Sequence, residues 1–258
     1  MQGKEGYPTI AYEVVCDHTL RIMSCTRGHY GSRNDKTIVR FDGFISALRN
    51  KQIFGDISYE LKRAKVREDG VSIVTSVTVV GPYVICDGGY HKWRVMQEPL
   101  KHAVDYIQVR WSKWVESVRK DIERVFGIMK KRFIILKHGT DYNTQSKCDY
   151  VFLACCMFHN ILHSTDGYDE RWNEELDEPI ANDYEEATVV RNWRIRVDRE
   201  FGGADRSHIG RYYFAANTQP VFGEGNVIDA DSSNYELKMK LVEHFAIRFQ
   251  QNEIRWLN

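Results

Sequence analysis

The stretch VICDGGYHKW at Val84–Trp93 is the most informative for the fold, because an apolar run typical of a buried strand ends there at a carboxylate. We predict a short strand from Tyr83 to Cys86 that carries Asp87 to the end of a sheet. Gly88 and Gly89 follow at once, so the backbone can turn sharply and let a ligand approach Asp87.

A second informative acid, Glu123, lies in RKDIERVFGIMKKRF at Arg119–Phe133, with thirty-five residues between it and Asp87. Apolar residues recur every three or four positions from about Val109 to Arg132 and predict a long amphipathic helix. Glu123 falls outside this apolar stripe, beside several cations. The stripe comprises Trp111, Val115, Val118, Ile122, Val125, Met129 and Phe133.

The two acids permit two interpretations. A helical Glu among Lys and Arg usually makes only weak surface ion pairs. Two carboxylates on separate rigid elements are also what a two-metal phosphodiester site requires, because Mg²⁺ and Mn²⁺ prefer carboxylate oxygens. The residues alone leave both interpretations open.

The remaining pattern predicts a mixture of strands and helices. A helix is expected from residue 150 to residue 163, where His159 and His163 are more typical of core or capping residues than of metal ligands. A C-terminal amphipathic helix is expected from Asn234. The predicted strands are residues 8–16, 20–27, 59–69 and 71–80, with a turn at 68–70 and a helix ending near Leu48.

Composition limits the class of protein. The chain has 258 residues, 43% of them hydrophobic, so it can bury a sizeable core. It has no run of about 18 apolar residues and no secretory signal pattern, so we expect an intracellular protein without a membrane span. Its six cysteines have no CxxC spacing and sit mostly in apolar runs, which favours reduced, structural thiols.

The formal net charge of zero conceals an asymmetry. Residues 1–150 carry 25 Lys and Arg against 17 Asp and Glu, a net charge of +8, whereas residues 151–258 carry 11 against 19, a net charge of −8. A basic body suits a polyanion such as nucleic acid, although solvated surface charge would give the same count.

With these motifs in view, the chain resembles the DDE endonucleases of PIF/Harbinger-type transposons, in particular the plant transposon protein group. The resemblance covers about residues 3–163. The matching sequence motifs, in the order in which the family has them, are GKEGYPTI at Gly3–Ile10, GSRND at Gly31–Asp35, YVICDGGYHKW at Tyr83–Trp93, RKDIERVFGIMKKRF at Arg119–Phe133 and CCMFHNIL at Cys155–Leu162.

The resemblance implies an α/β, RNase H-like mixed sheet flanked by helices, with nuclear, metal-dependent cutting and joining of DNA. Asp87 and Glu123 would match catalytic acids of the family, and Asp35 would join them as a ligand of Mg²⁺ or Mn²⁺. A separate Myb-like DNA-binding protein is implied as a partner. The residues expected to contact the phosphate backbone are Arg119, Lys120, Arg124, Lys130, Lys131 and Arg132.

One feature departs from the family pattern. The first catalytic aspartate of the family lies on a strand before the GKEG motif, and in this chain that motif begins at Gly3. We therefore expect a degenerate or truncated transposase, with a sheet that lacks its first central strand, an incomplete site and weak metal binding. The expected organisation is a partial nuclease domain at residues 1–163, an acidic linker and irregular segment at 164–233, and a C-terminal helix at 234–258.

Two other functions are alternatives to a nuclease. A non-catalytic, transposase-derived protein that binds nucleic acid or protein would use the same basic helix without cutting. An unrelated α/β enzyme would need another catalytic motif, and the sequence contains no GxSxG, GxGxxG or GxxxxGK[ST] pattern.

Overall fold

The computed structural model describes residues 9–166 and 232–254. Their contacts divide the chain into two compact units. Within the described ranges, the first unit contains residues 9–33 and 121–166, and the second contains residues 34–120 and 232–254.

The strands pair two by two. Three pairs are antiparallel and one is parallel: β1 with β4, β2 with β3, β5 with β6, and, in parallel, β7 with β8. The strands are β1 (Ile10–Ala11), β2 (Val14–Cys16), β3 (Ile22–Cys25), β4 (His29–Tyr30), β5 (Ser58–Val66), β6 (Ser72–Val80), β7 (Val84–Ile85) and β8 (Met96–Gln97).

Six helices fall in the described ranges. They are α1 (Asp35–Val39), α2 (Gly43–Arg49), α3 (Tyr106–Arg132), α4 (Ile134–His138), α5 (Gln145–Thr165) and α6 (Ser232–Gln250). The long α3 has residues in both units, which divide after Lys120.

The core of the first unit lies between the β2–β3 hairpin, the second half of α3, and α5. The apolar residues of α3 recur at helical spacing and therefore face this core, where Val125 and Met129 are almost fully buried. The other buried members are Leu20, Ile22, Cys25, Phe152, Cys155 and Cys156.

Helix α5 turns polar side chains toward this core. Asn160 accepts a hydrogen bond from the Ile22 amide at 3.0 Å and donates one to the Ile22 carbonyl at 2.8 Å. His159 Nε2 lies 2.9 Å from the Leu20 carbonyl, and His163 Nε2 lies 2.6 Å from the Thr19 carbonyl. These side chains satisfy backbone groups along the free edge of β3 and in the turn before it. The two histidines are therefore core residues, as the sequence predicts.

The second unit is organised around the β5–β6 hairpin, whose nine cross-strand pairs run from Ser58 with Val80 to Val66 with Ser72. One face of the hairpin packs on α6 and the start of α3. The buried residues of this core are Leu61, Val79, Trp111, Val115, Leu237, Leu241, Val242 and Phe245.

Helix α6 also protects the open edge of β5. His244 Nδ1 accepts a hydrogen bond from the Lys62 amide at 2.8 Å, and Glu243 accepts one from the Ala64 amide at 2.9 Å. A strand edge exposes unpaired N–H groups that would otherwise recruit another chain. Burial lowers the pKa of His244, as do the nearby Arg248 and Lys62 cations, which keeps the ring neutral and able to accept.

The helix expected to end near Leu48 forms as two, because Asp42 interrupts it. Asp42 caps α2 by accepting hydrogen bonds from the amides of Phe44 at 2.8 Å and Ile45 at 3.2 Å. An acceptor that serves two amides stabilises a helix start. Burial raises the pKa of this carboxyl to about 6.

The predicted α/β class is confirmed, and so are the turn at 68–70 and the long helix through Glu123. The single mixed sheet is replaced by separate two-stranded sheets among the described residues. All six cysteines are free thiols. None of the described helices is long and apolar enough to cross a membrane. The domain boundaries remain a prediction, and most of the segment 164–233 lies outside the described residues.

The pH dependence of folding should report on His159. Its side chain is buried, and burial lowers its pKa from 6.5 to about 4. Folding therefore favours the neutral ring. The contribution of His159 to the stability of the fold is complete above pH 6.5 and is lost as the pH falls toward 4. Between pH 6.5 and pH 5 we expect the free energy of unfolding to fall by about 2 kcal/mol from this group.

Chemical denaturation monitored by circular dichroism at several pH values tests this, with His159→Gln as the comparison. Glutamine can still donate to the Leu20 carbonyl but does not titrate. A loss of stability below pH 6.5 that is equally steep in both proteins would contradict the assignment.

Candidate functional site: a pair of carboxylates over Gly89

Asp87 occupies the position that the sequence predicts, directly after the short strand β7 and Cys86. The parallel pairing is continued by hydrogen bonds from the Val84 amide to the Val95 carbonyl at 2.7 Å and from the Cys86 amide to the Gln97 carbonyl at 3.1 Å. The carboxylate is exposed to solvent. It accepts a hydrogen bond from the Gly89 amide, which fixes the turn after it.

Asp35 enters the site from the first turn of α1. Asn34 caps this helix by accepting hydrogen bonds from the amide of Thr37 at 2.9 Å and from its hydroxyl at 2.8 Å. The buried residues Ile38 and Val39 anchor the helix and leave Asp35 at the exposed end. A carboxylate is also favourable at this end of a helix, where amide groups point outward.

The two carboxylates converge on Gly89. A methyl group at this position would lie 2.9 Å from Asp87 Oδ1 and 3.2 Å from Asp35 Oδ2. The two oxygens are therefore no more than about 6 Å apart, and a methyl group at position 89 would crowd both of them. At Gly88 a methyl group would meet nothing within 4 Å. Of the two predicted glycines, Gly89 is therefore the one at which an added methyl group would crowd the carboxylates.

The loop that follows Asp87 is held against α1 and α2. His91 Nε2 lies 3.1 Å from Arg40 Nε and 3.1 Å from the Lys36 carbonyl. The His91 ring stacks on Trp93 with 4.6 Å between centroids, and the Arg49 guanidinium lies 3.7 Å from the centroid of the Trp93 ring. These contacts connect the carboxylate of Asp87 to the helix that carries Asp35.

The far end of the same loop is anchored by α6. Asn234 donates hydrogen bonds to the carbonyls of Trp93 at 2.9 Å and Met96 at 2.7 Å. Lys238 forms an ion pair with Glu98, and both side chains are almost fully buried. Burial lowers the pKa of Lys238, an effect that the Glu98 carboxylate opposes. The anchor lies about 140 residues from the loop in sequence, so no local pattern could have revealed it.

Glu123 lies on an exposed part of α3 in the first unit, outside the buried stripe, as predicted. Of the basic residues predicted to contact DNA, Lys120, Arg124, Lys130 and Lys131 are exposed. Arg124 is engaged with Asp121 at 2.7 Å, and Arg132 with Asp166 at 2.9 Å.

Within residues 9–166 and 232–254, no group of three or more His, Cys, Asp or Glu side chains is arranged to hold a metal ion. What the structure brings together is the pair Asp35 and Asp87. A pair of carboxylates with open space between them fits a hard divalent cation, because Mg²⁺ is commonly held by one or two carboxylates together with water and substrate oxygens.

Comparison with known proteins identifies the class. Residues 2–160 match the DDE superfamily endonuclease family, and the chain belongs to this family. The match includes Asp35, Asp87 and Glu123 and ends before α6.

A curated relative extends this result. The chain is 23% identical over 187 residues to the protein Antagonist of like heterochromatin protein 1 of Arabidopsis thaliana. The alignment covers 66% of the chain and 43% of that protein, so the chain spans less than half of its relative's length. No solved structure matches the chain.

The anchor between α6 and the Asp87 loop can be tested by removing one charge. Lys238→Met leaves the Glu98 carboxylate buried without its partner, and we expect the free energy of unfolding of the second unit to fall by about 3–5 kcal/mol. Hydrogen exchange of the Cys86 amide should accelerate.

The matched control is Lys240→Met, which removes a solvent-facing cation paired with Glu236 on the same helix. Loss of an exposed pair should cost less than about 1 kcal/mol. Adding Glu98→Gln to Lys238→Met should recover part of the lost stability. Equal effects of the two lysine variants would show that the buried pair does not anchor the loop.

Proposed function

We propose that this chain is a divalent-metal-dependent endonuclease domain that acts on DNA, with Asp35 and Asp87 holding Mg²⁺ or Mn²⁺. The observation that carries the proposal is the approach of the two carboxylates over Gly89 in a chain of the DDE superfamily endonuclease family. A bound divalent ion would supply Lewis-acid stabilisation of charge at the phosphodiester being cut.

The remaining roles follow from the properties of the side chains. We assign Glu123 as the third acidic group of the reaction, supported by its place in the family match and its exposure. Lys120, Lys130 and Lys131 are the exposed cations best suited to phosphate contact. Arg119 belongs to the same basic helix. Arg124 and Arg132 would have to share their charge with the carboxylates that they already contact.

Other parts of the proposal rest on resemblance. An RNase H-like arrangement, a nuclear location and a separate Myb-like DNA-binding partner are features of the transposon proteins that the chain resembles. The name of the Arabidopsis relative refers to heterochromatin, which also suits a protein that works on DNA in the nucleus.

A second function is favoured by that same name. It describes the relative as an antagonist of another protein and does not describe a nuclease. The alternative is therefore a transposase-derived protein that binds DNA or protein without cutting. Metal-dependent strand cleavage separates the two.

Metal binding should depend on Gly89 and not on Gly88. We expect Gly89→Ala to weaken Mn²⁺ binding, because the added methyl group crowds both carboxylates. The affinity should fall by about 10-fold or more, as it does when a metal ligand loses a supporting contact. Gly88→Ala should bind Mn²⁺ as the unmodified chain does. Titration calorimetry or electron paramagnetic resonance of free Mn²⁺ measures both. Equal affinities in the two variants would argue against a metal ion at this position.

A plasmid-nicking assay with Mn²⁺ tests cutting directly. We expect nicking by the chain that is abolished by a chelator and reduced at least ~100-fold by Glu123→Gln, as for loss of a catalytic acid or base. Glu116→Gln is the matched control, since it neutralises another exposed acid two turns earlier on α3. Mn²⁺ binding without nicking would favour the non-catalytic alternative. Nicking that survives Glu123→Gln would remove this residue from the site.

A further inference from the structure

Helix α5 has an unusual distribution of side chains. Its polar residues His159, Asn160 and His163 are buried, where they bond to the β3 edge and the preceding turn. Its large apolar residues on the other side face solvent, with Tyr150 71% and Phe158 55% exposed. The remaining exposed members are Met157, Ile161 and Leu162. From Tyr150 to His163 the helix contains no Asp, Glu, Lys or Arg.

The exposed side is large enough to be an interface. Because a fully buried aromatic side chain covers about 150–250 Å², the exposed parts of these five residues amount to roughly 500 Å². Exposed apolar patches of this size on a folded protein usually mark an interaction site. Two copies covering each other would bury roughly 1,000 Å², which is about the area that a specific interface requires.

We propose that α5 is the dimerisation helix of this protein, with two copies packing antiparallel through Tyr150, Ala154, Met157, Phe158 and Ile161. These residues lie on one side of the helix, because each of the other four is four, seven, eight or eleven positions after Tyr150 and so falls within about one quarter-turn of it. In the antiparallel arrangement, Tyr150 of one copy faces Ile161 of the second copy. Ala154 and Met157 lie near the dyad, where the small alanine lets the helices approach closely.

Charge at the ends of α5 favours the antiparallel direction. Lys147 is exposed at the start of the helix, and Asp166 follows its last residue. Asp166 is already paired with Arg132, so the helix dipoles favour this direction. Antiparallel packing aligns the two dipoles favourably and places Lys147 of each copy beside the partially negative C-terminal end of the other helix. Residues 150–165 contain no Asp, Glu, Lys or Arg, so two identical faces can meet without repulsion. This proposal does not depend on the proposed nuclease function.

Sedimentation equilibrium of the full chain tests the proposal. We expect a dimer of two 30.2 kDa chains at micromolar concentration. Tyr150→Asp and Phe158→Asp should each raise the dissociation constant at least ~30-fold, as expected for a central apolar residue of an interface. The matched control is Tyr235→Asp, because Tyr235 is 62% exposed on α6. It should leave the dimer intact, and circular dichroism confirms that each variant folds.

Cross-linking tests the direction of the helices. Met157→Cys should give a cross-linked dimer with a short bis-maleimide reagent, above the background of the unmodified chain. Lys147→Cys should not, because in the antiparallel pair the two sites lie about 25 Å apart along the helices. Cross-linking at both positions would indicate parallel helices and overturn the arrangement. A monomer at all concentrations, or a dimer that Tyr150→Asp and Phe158→Asp leave unchanged, would overturn the interface.

Discussion

The constraint on which this structure depends is the satisfaction of backbone groups at the edges of very short sheets. Every described sheet has only two strands, so each strand has one edge that no other strand covers. Buried N–H and C=O groups without partners are costly. In both units, helix side chains supply the missing partners. Asn160 serves both backbone groups of Ile22 in the first unit, and His244 serves the Lys62 amide in the second.

This constraint explains why residues far beyond the predicted nuclease motifs matter for the candidate site. The loop that begins at Asp87 is closed by two strands of two residues each, which are too short to be stable alone. Asn234 and Lys238 complete the loop from a helix that lies outside the residues matched to the family. The position of the Asp87 carboxylate therefore depends on the C-terminal helix as well as on the CDGG sequence.

The same constraint has a second effect, on α5. Helix α5 directs His159, Asn160 and His163 inward to reach the backbone of β3 and its turn, and these polar residues share the inner side with Phe152, Cys155 and Cys156. Tyr150 and Phe158 are left on the outer surface, where burial against another apolar surface would be favourable. The polar contacts that stabilise the fold thus create the apolar surface that we propose as an interface.

The longest elements and the acidic candidates could be predicted from the sequence, whereas the predicted strand at 8–16 forms as the separate strands β1 and β2. The recurrence of apolar residues every three or four positions predicted α3 and its buried stripe. Two runs of strand-forming residues with a turn between them predicted the β5–β6 hairpin, and the CDGGY and ERVFG motifs indicated the nuclease family. These features are local, because hydrophobic spacing and turn residues act over a few positions. The tertiary structure decided the approach of Asp35 to Asp87, the distinction between Gly88 and Gly89, and the burial of Lys238 with Glu98. The two side-chain pairs each join residues more than fifty positions apart in the sequence. The distinction between the two glycines depends on the space around each Cα atom. Local residue spacing encodes neither the long-range contacts nor this space.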